Sequence, residues 1–382
     1  MNAFRFDLCQ LPPEAEILRQ EVRSFFTDEL SHLTPLERAA SWDGFDREFS
    51  LKMGEKGWIG MTWPKDFGGH ERSALERYVV LEEALVAGAP VSAHWIADRQ
   101  SGPLLLGFGS AEQHHKILPG IAKGELVFCI GMSEPDSGSD LASLRSPAKR
   151  TDDGWLLNGA KVWTTNAHEA DYMIGLFRTS TDPGNRRGGL SQFLIDMKTP
   201  GITVNPIVDL PGREHFNEVV FEEVHLSNDC LIGSEGEGWD QVTAELAYER
   251  SGPERYLSSI QILLALVDEL AARPSERGAI VIGELMARLA TLRTMSLSLA
   301  GMLEAGQNPG LEATVVKDLG TGFEQTLPDI AQSLIDLEPD PDNGSDLQLV
   351  LSFLIQAAPS FSLRGGTREI LRGIIARGLG LR

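Results

Sequence analysis

The spacing of apolar residues along the chain changes twice. From Glu14 to Glu29 apolar side chains recur at intervals of three and four residues, and the same spacing returns from Leu75 to Val86 and from Ala111 to Ile121. This period is typical of amphipathic helices that bury one face. We therefore expect residues 1–124 to form an N-terminal α-helical domain.

Beyond residue 125 the apolar residues come in short, alternating runs. Turn-forming dipeptides separate these runs, among them Asp153–Gly154, Asn158–Gly159 and Pro200–Gly201. Short strands joined by such turns are typical of all-β domains. Residues 125–236 are therefore predicted to form a central β-barrel or β-sandwich.

Helical spacing returns after Trp239 and continues in long stretches. The stretches run from Ala244 to Leu270, from Ala279 to Leu303, from Leu311 to Leu337 and from Leu347 to Leu379, the last with breaks at Pro359 and Gly365–Gly366. Three or four long helices with brief connections predict a C-terminal helical bundle over residues 237–382. The predicted order is thus helices, strands, helices.

Charge and cysteine content narrow the possible functions. Among the 382 residues, 34 Lys and Arg stand against 55 Asp and Glu; the net charge of −21 repels phosphate backbones and argues against nucleic-acid binding. The widely spaced Cys9, Cys129 and Cys230 cannot by themselves build a disulfide framework or a zinc site, so we expect no metal. Residues 1–10 lack the apolar core of a signal peptide, and no apolar run reaches the ~18 residues of a membrane span. We therefore expect a soluble, cytoplasmic protein.

Two motifs in the β region point to a chemistry. Met132–Asp140 reads MSEPDSGSD, and Gly159–Thr165 reads GAKVWTT about two dozen residues later. In this order and spacing they resemble the Ser/Thr-Glu-Pro, Gly-Ser-Asp and Gly-x-Lys-x-Trp-x-Thr motifs of the acyl-CoA dehydrogenase family. The predicted order of helices and strands also resembles that family, from about Glu14 to the C-terminus.

The resemblance implies a fold, a reaction and a cofactor. The fold would be acyl-CoA dehydrogenase-like. The reaction would be the FAD-dependent α,β-dehydrogenation of an acyl-CoA thioester in lipid β-oxidation, in which a glutamate takes the α-proton and flavin N5 takes the β-hydride. Electrons would then pass to an electron-transfer flavoprotein. An acyl-CoA oxidase, in which O₂ takes the electrons, and a non-catalytic subunit that fills half of a heteromer stay open as alternatives.

The motif positions assign the flavin contacts by resemblance. Trp163 would lie against the isoalloxazine ring, Thr165 would approach flavin N5, and Met132 and Ser133 would meet the pyrimidine edge. A flavin needs an aromatic face for its ring and hydrogen-bonding groups at its edge, and these residue types supply both. Ser139 would lie nearer the CoA arm of the substrate. Taken without the resemblance, Trp163 would be an ordinary core tryptophan and the serines ordinary turn residues.

The catalytic base does not occupy its usual family position. The family commonly carries it in a Tyr-Glu-Gly-Thr run, but the matching run Leu363–Thr367 has Gly365 in that place, and glycine cannot act as a base. A minority of the family has the base in a Glu-Arg pair on the first bundle helix, where this chain has Glu249 and Arg250. We therefore expect Glu249 to be the base, with Arg250 as its neighbour and a candidate ligand anchor. The plain alternative is that Glu249 is a solvated carboxylate on a helix face.

The run around Gly365 keeps two expected roles by resemblance. The N–H group of Gly365, together with a ribityl hydroxyl of the flavin, would form the oxyanion hole for the thioester oxygen. Thr367 would be among the FAD-binding residues.

Two family motifs that bind the adenosine half of FAD are missing. The Arg-x-x-Phe-Gly motif has no counterpart in Ala271–Ala279, which lacks phenylalanine. The Gln-x-x-Gly-Gly-x-Gly motif is replaced by the acidic segment Glu338–Asp346 and by Leu347–Pro359. In some bacterial steroid-degrading members of the family, two unlike chains share each FAD. We therefore expect an oligomer, either of this chain alone or with a dehydrogenase-like partner chain that completes the FAD site.

Overall fold

The computed structural model describes residues 4–181, 184–250, 252–335 and 337–381, and of residues 245–249 it describes only the backbone. The chain forms two compact units. The helical unit comprises Met1–Gly44, Arg72–Val91 and Ala247–Arg382, and the sheet unit comprises Phe45–Glu71 and Ser92–Leu246. Each unit combines stretches that are distant in sequence. The boundaries of the three predicted domains stay a prediction.

Helices precede and follow the strands. The helices before the strands are α1 (Pro13–Glu29), α2 (Pro35–Ala39), α3 (Arg47–Glu55), α4 (Ala74–Ala87), α5 (Gly102–Phe108) and α6 (Ala111–Ala122). Those after the strands are α7 (Gly238–Glu249), α8 (Ile260–Ala272), α9 (Glu276–Glu304), α10 (Gly310–Leu334), α11 (Asp346–Ala357) and α12 (Arg368–Gly378). The predicted order of helices, strands and helices is confirmed.

The strands form two sheets around one core. They are β1 (Phe128–Gly131), β2 (Ala148–Arg150), β3 (Gly154–Thr165), β4 (Tyr172–Arg178), β5 (Leu190–Asp196), β6 (Ile202–Ile207) and β7 (Phe216–Ser227). The strand orders are β1-β4-β5 and β2-β3-β7-β6, with β1 parallel to β4 and the other described pairs antiparallel. Across the core, Trp155 meets Phe193 at 5.2 Å and Phe177 meets Phe221 at 5.1 Å between ring centroids. Two sheets on one core confirm the predicted central β domain.

Buried charges join three helices of the helical unit. Glu82 of α4 is buried and accepts hydrogen bonds from Arg19 of α1 at 2.9 Å and from Arg293 of α9 at 2.6 Å. Beside it, the hydroxyl of Tyr78 lies 2.6 Å from that of Tyr256. A buried carboxylate is tolerated only when it is paired in this way, so these contacts fix the position of α4 against α1 and α9.

The predicted continuous helix from Ala244 to Leu270 is wrong. The structure has two helices there, because α7 ends at Glu249 and α8 begins only after an intervening loop. Gly252 and Pro253 account for the break. Proline lacks the N–H that a helix needs and disfavours helical geometry in the residue before it, while glycine weakens a helix by its backbone freedom. Glu249 consequently lies at the C-terminal end of a helix. The predicted break between α11 and α12 is confirmed.

Candidate functional site

A buried ion pair joins the two motifs of the sheet unit. Lys161 on β3 is fully buried, and its Nζ lies 2.9 Å from Oε1 of Glu134. The Glu134 carboxylate also accepts hydrogen bonds from the backbone N–H groups of Arg145 at 2.7 Å and Ser146 at 2.9 Å. The Lys161 ammonium lies 4.8 Å from the ring centroid of Phe177, a favourable cation–π distance. The loop that carries the first motif is thus bound to β3, which carries the second.

Burial and pairing act against each other on the protonation of this ion pair. Burial lowers the pKa of Lys161 to about 8, although the neighbouring Glu134 carboxylate acts in the opposite direction. Burial also tends to raise the pKa of Glu134. The charge and hydrogen bond of Lys161, with the donors at Arg145 and Ser146, outweigh it and hold that pKa below its ordinary value. Both groups are therefore charged at neutral pH.

The same contacts hold the two predicted flavin-edge residues. Lys161 Nζ donates to the carbonyl of Met132 at 3.3 Å, and the N–H of Val162 donates to the carbonyl of Ser133 at 2.9 Å. Both residues are half-buried. Met132 and Ser133 were expected from the sequence, whereas the roles of Glu134 and Lys161 were not. Both residues belong to the motifs quoted above. The opposite charges that the two motifs carry were the signal that could have identified the pair.

Trp163 is a solvent-exposed tryptophan in a costly backbone conformation. Its side chain is 59% exposed, and its φ of +61° costs a bulky residue about 1–3 kcal/mol. It lies where the pairing of β3 with β7 shifts between Lys161 and Thr164, and such a bulge redirects a side chain. The indole packs edge-on against Phe216, at 5.9 Å and 88°. Trp163 is therefore not a core tryptophan, and an exposed aromatic face of this kind fits a planar ring such as a flavin.

Thr165 and Ser139 have different surroundings. Thr165 is half-buried at the end of β3, paired in register with Phe216. Ser139 is exposed in the loop that follows β1, next to Asp140, whose carboxylate pairs with Arg186 at 2.5 Å. Arg186 belongs to neither motif and was not expected from the sequence. The structure brings a basic side chain to the predicted substrate loop.

In the helical unit, residues Arg364–Thr367 form a turn that we name the glycine turn. Gly365 and Gly366 have φ angles of +62° and +99°, in the region that glycine adopts without steric cost. Thr367 ends the turn and caps α12, since its Oγ1 accepts a hydrogen bond from the N–H of Ile370 at 3.5 Å. The predicted oxyanion-hole glycine and the predicted FAD-binding threonine therefore belong to one short element.

Arg250 ties the end of α7 to the glycine turn. Its side chain is buried, and its Nε donates to the carbonyl oxygen of Gly365 at 3.0 Å. The side chain of Glu249 lies outside the described residues, so its role as base stays a prediction. Ligand anchoring by Arg250 also stays a prediction.

The stretches that replace the adenosine-binding motifs are paired within the chain. Leu347–Pro359 falls in α11 and in the short helical turn after it. In the other stretch, Arg273 pairs with Glu269 at 3.4 Å, and Arg277 donates to the carbonyl of Ser333 at 3.0 Å. Both of these arginines are thus engaged by groups of this chain.

The described part of the chain offers neither a metal cluster nor a membrane span. Within the described ranges, no group of three His, Cys, Asp or Glu side chains could hold a metal ion. Among the helices of those ranges, none is long and apolar enough to cross a membrane.

The structure thus has helical regions before and after a two-sheet domain, and an exposed tryptophan lies on that domain. The family models of the acyl-CoA dehydrogenase N-terminal and middle domains match residues 12–125 and 129–224. Acyl-CoA dehydrogenase FadE29 of Mycobacterium tuberculosis is 31% identical to this chain, over 96% of each. The chain belongs to the acyl-CoA dehydrogenase family of flavoprotein oxidoreductases, which act in fatty-acid β-oxidation.

Solved structures with a similar fold include two complexes of two named components. The structure described as the Tcur3481-Tcur3483 steroid ACAD has a TM-score of 0.85 at 28% identity, over 98% of each chain. The ChsE4-ChsE5 complex from Mycobacterium tuberculosis has a TM-score of 0.84 at 29% identity, over 98% of this chain and 99% of that one. The predicted acyl-CoA dehydrogenase-like fold is confirmed.

Proposed function

We propose that this protein uses FAD to form a Cα=Cβ double bond in an acyl-CoA thioester, with Glu249 as the base. The observation that carries the proposal is Trp163, an exposed tryptophan with positive φ that follows the buried Lys161 by two residues on β3. Bound FAD would accept the hydride that leaves Cβ. The remaining steps belong to side chains and backbone groups of this chain.

The flavin contacts proposed for the sheet unit are Trp163 on the ring, Thr165 near N5, and Met132 and Ser133 at the pyrimidine edge. An exposed indole in a costly conformation is explained if a ligand covers it. The carbonyls of Met132 and Ser133 are already bound to β3, so this stretch does not have to be ordered when a ligand binds. Thr367 is proposed as an FAD contact from the helical unit.

Ser139 and Arg186 are proposed to contact the CoA moiety. A chain with a net charge of −21 needs a local cation to hold an anionic thioester. The side chains of Arg186 and Asp140 are each 63% exposed, and exposed ion pairs are weak. The Arg186 guanidinium is therefore able to exchange its carboxylate partner for a phosphate.

Glu249 is proposed to take the α-proton. It is the last residue of α7, and the helix dipole disfavours a negative charge at a C-terminal end, so a carboxylate there gains from accepting a proton. The N–H of Gly365 would stabilise the charge that develops on the thioester oxygen. Arg250 connects the two positions through its hydrogen bond to the Gly365 carbonyl, which supports a shared role.

The test is Glu249→Gln with Asp240→Asn, on the same helix, as the matched control. In anaerobic stopped flow with acyl-CoA thioesters, we expect Glu249→Gln to slow flavin bleaching about 10²–10⁴-fold, the usual contribution of a general base. Flavin content should be unchanged, and Asp240→Asn should bleach at the wild-type rate. A Glu249→Gln variant that bleaches as fast as wild type would exclude Glu249 as base.

We further propose that the functional enzyme is a heteromer with a dehydrogenase-like chain that completes the adenosine side of the FAD site. The two missing motifs support this. Similarity to the two-component Tcur3481-Tcur3483 and ChsE4-ChsE5 structures supports it as well. The protein purified alone should bind less than one FAD per chain, and co-expression with such a partner should raise both FAD content and activity. Full FAD occupancy in an assembly of this chain alone would contradict the heteromer.

Electron-transfer flavoprotein is proposed as the acceptor. Substrate-reduced protein should then reoxidise slowly in air and quickly with that flavoprotein. Fast reoxidation by O₂ would indicate an acyl-CoA oxidase instead. Because one structure of similar fold is described as a steroid ACAD, ring-bearing acyl-CoA thioesters belong beside straight and branched ones in the substrate panel.

A further inference from the structure

The glycine turn is held by basic side chains that come from separate parts of the helical unit. Arg250 Nε donates to the carbonyl oxygen of Gly365 at 3.0 Å, and Lys317 Nζ donates to that of Gly366 at 2.9 Å. At the first residue of the turn, the Arg364 side chain donates from Nη2 to Ser258 Oγ at 3.1 Å. Successive carbonyls of the turn are thus each bound by a cation.

Arg364 also has aromatic and ionic contacts that fix the start of the turn. Its guanidinium lies 4.8 Å from the ring centroid of Trp42 and 4.1 Å from that of Phe361. It lies 3.7 Å from the buried carboxylate of Glu324 on α10. Both ends of the Gly365 peptide segment are therefore anchored, one through Arg364 and the other through the two carbonyl contacts.

Two consecutive glycines would otherwise be free to adopt many conformations. Glycine reaches positive φ readily, but it also loses the most backbone freedom when it is ordered. Nothing in the local sequence of Gly365 and Gly366 selects the observed angles of +62° and +99°. The selection must come from the hydrogen bonds that the carbonyls make with other elements.

Lys317 is an unusual residue for its position. It is fully buried on α10, and lysine is almost never fully buried. Its ammonium donates to the carbonyl oxygen of Gly366, so a buried side chain of α10 contacts the glycine turn directly. The adjacent Asp318 binds Arg368 at 2.8 Å, so α10 also holds the first residue of α12, directly after the turn.

We infer that Lys317 is a positioning residue for the dehydrogenation: it holds the glycine turn in the one conformation that presents the Gly365 N–H to the thioester oxygen. This inference rests on the proposed function. Lys317 acts through the Gly366 carbonyl and does not touch the substrate. Its loss should loosen the turn and weaken stabilisation of the developing oxyanion, with little effect on ground-state binding of the thioester.

The test compares Lys317→Met, which keeps the unbranched apolar part of the side chain and lacks its terminal donor, with Thr314→Val. Thr314 is buried one turn earlier on α10. Its replacement by valine removes the local hydrogen bond from its hydroxyl to the Gly310 carbonyl, at 2.7 Å. By amide hydrogen exchange, residues 365–367 should exchange at least tenfold faster in Lys317→Met. They should be unchanged in Thr314→Val and largely restored in Lys317→Arg. This readout needs neither substrate nor activity.

The kinetic readout uses the flavin-loaded protein. Lys317→Met should lower kcat about tenfold and leave KM within about threefold, since the lost interaction belongs to the transition state. Should Lys317→Met not fold, Lys317→Gln, which is uncharged and one bond too short to reach the carbonyl, should give the same loosening. A folded Met or Gln variant with wild-type exchange at the turn and wild-type kcat would overturn the inference. If wild-type protein dehydrogenates no acyl-CoA, the proposed function fails, whereas the exchange result still decides whether Lys317 holds the turn.

Discussion

Removal of the Lys161 charge is expected to destabilise the sheet unit strongly. In Lys161→Met the side-chain volume is nearly kept, while Glu134, 8% exposed, loses its cation and keeps two backbone donors at 2.7 and 2.9 Å. Breaking a buried ion pair by deleting one partner costs about 3–5 kcal/mol. Because two backbone donors remain, we expect the free energy of unfolding to fall by the lower end of this range, about 3 kcal/mol.

Glu134→Gln provides the second corner of a double-mutant cycle. It leaves Lys161 with the Met132 carbonyl and the Phe177 ring, so we expect a loss of about 2–3 kcal/mol. The double variant Lys161→Met/Glu134→Gln holds no unpaired buried charge. The decrease in its free energy of unfolding should therefore be smaller than the sum of the decreases in the two single variants. The expected difference is about 2 kcal/mol, which is the coupling expected for residues in contact.

The assay is urea unfolding at pH 7, followed by tryptophan fluorescence, together with the flavin content after gel filtration. Lys161→Met should also retain less flavin, because the carbonyl of Met132 loses its donor. A loss below 1 kcal/mol in Lys161→Met, or single losses that add up to that of the double variant, would refute the structural role of the pair.

Three further variants test other parts of the account. Trp163→Ala should weaken flavin retention and change the visible absorbance envelope, because the ring loses its stacking face; unchanged content and spectrum would speak against that contact. Burial lowers the pKa of His94 to about 4, despite Asp98, while its Nδ1 lies 2.8 Å from Ser50 Oγ. As the pH falls from 6.5 towards 4, the unfolded chain takes up a proton that the folded chain does not. The free energy of unfolding should therefore fall by up to about 3 kcal/mol, and the decrease should be smaller in His94→Gln. Parallel pH profiles of stability would contradict this. Gly365→Ala forces a side chain into φ of +62° and should cost about 1–2 kcal/mol, measured by urea unfolding; no loss would mean that the turn is not held there.

Much of the architecture was accessible from local patterns. The change from helical to alternating spacing near residue 125 located the β domain, because such spacing reports which face of an element is buried. The same reasoning failed between Ala244 and Leu270, where apolar residues keep their spacing on both sides of a break. Gly252 and Pro253 carried the contrary signal, and the backbone limits of proline decided the outcome.

Individual residues of the candidate site could be predicted from the sequence, but the contacts between them could not. The motifs identified Trp163 and Ser133 as candidates. The exposure and the backbone strain of Trp163, however, follow from a bulge that depends on the pairing of β3 with β7. The contacts Glu134–Lys161 and Lys317–Gly366 join residues that are far apart along the chain. Only the fold brings such residues together, and no spacing rule predicts them.

The most direct test of the central claim is mass analysis of an acyl-CoA after anaerobic incubation with flavin-loaded protein. Each bleached flavin should yield one thioester that has lost two hydrogens, as a Cα=Cβ double bond, and Glu249→Gln should return the thioester unchanged. Wild-type protein that forms no enoyl thioester from straight, branched or ring-bearing substrates, or a Glu249→Gln variant that forms it at the wild-type rate, would contradict it.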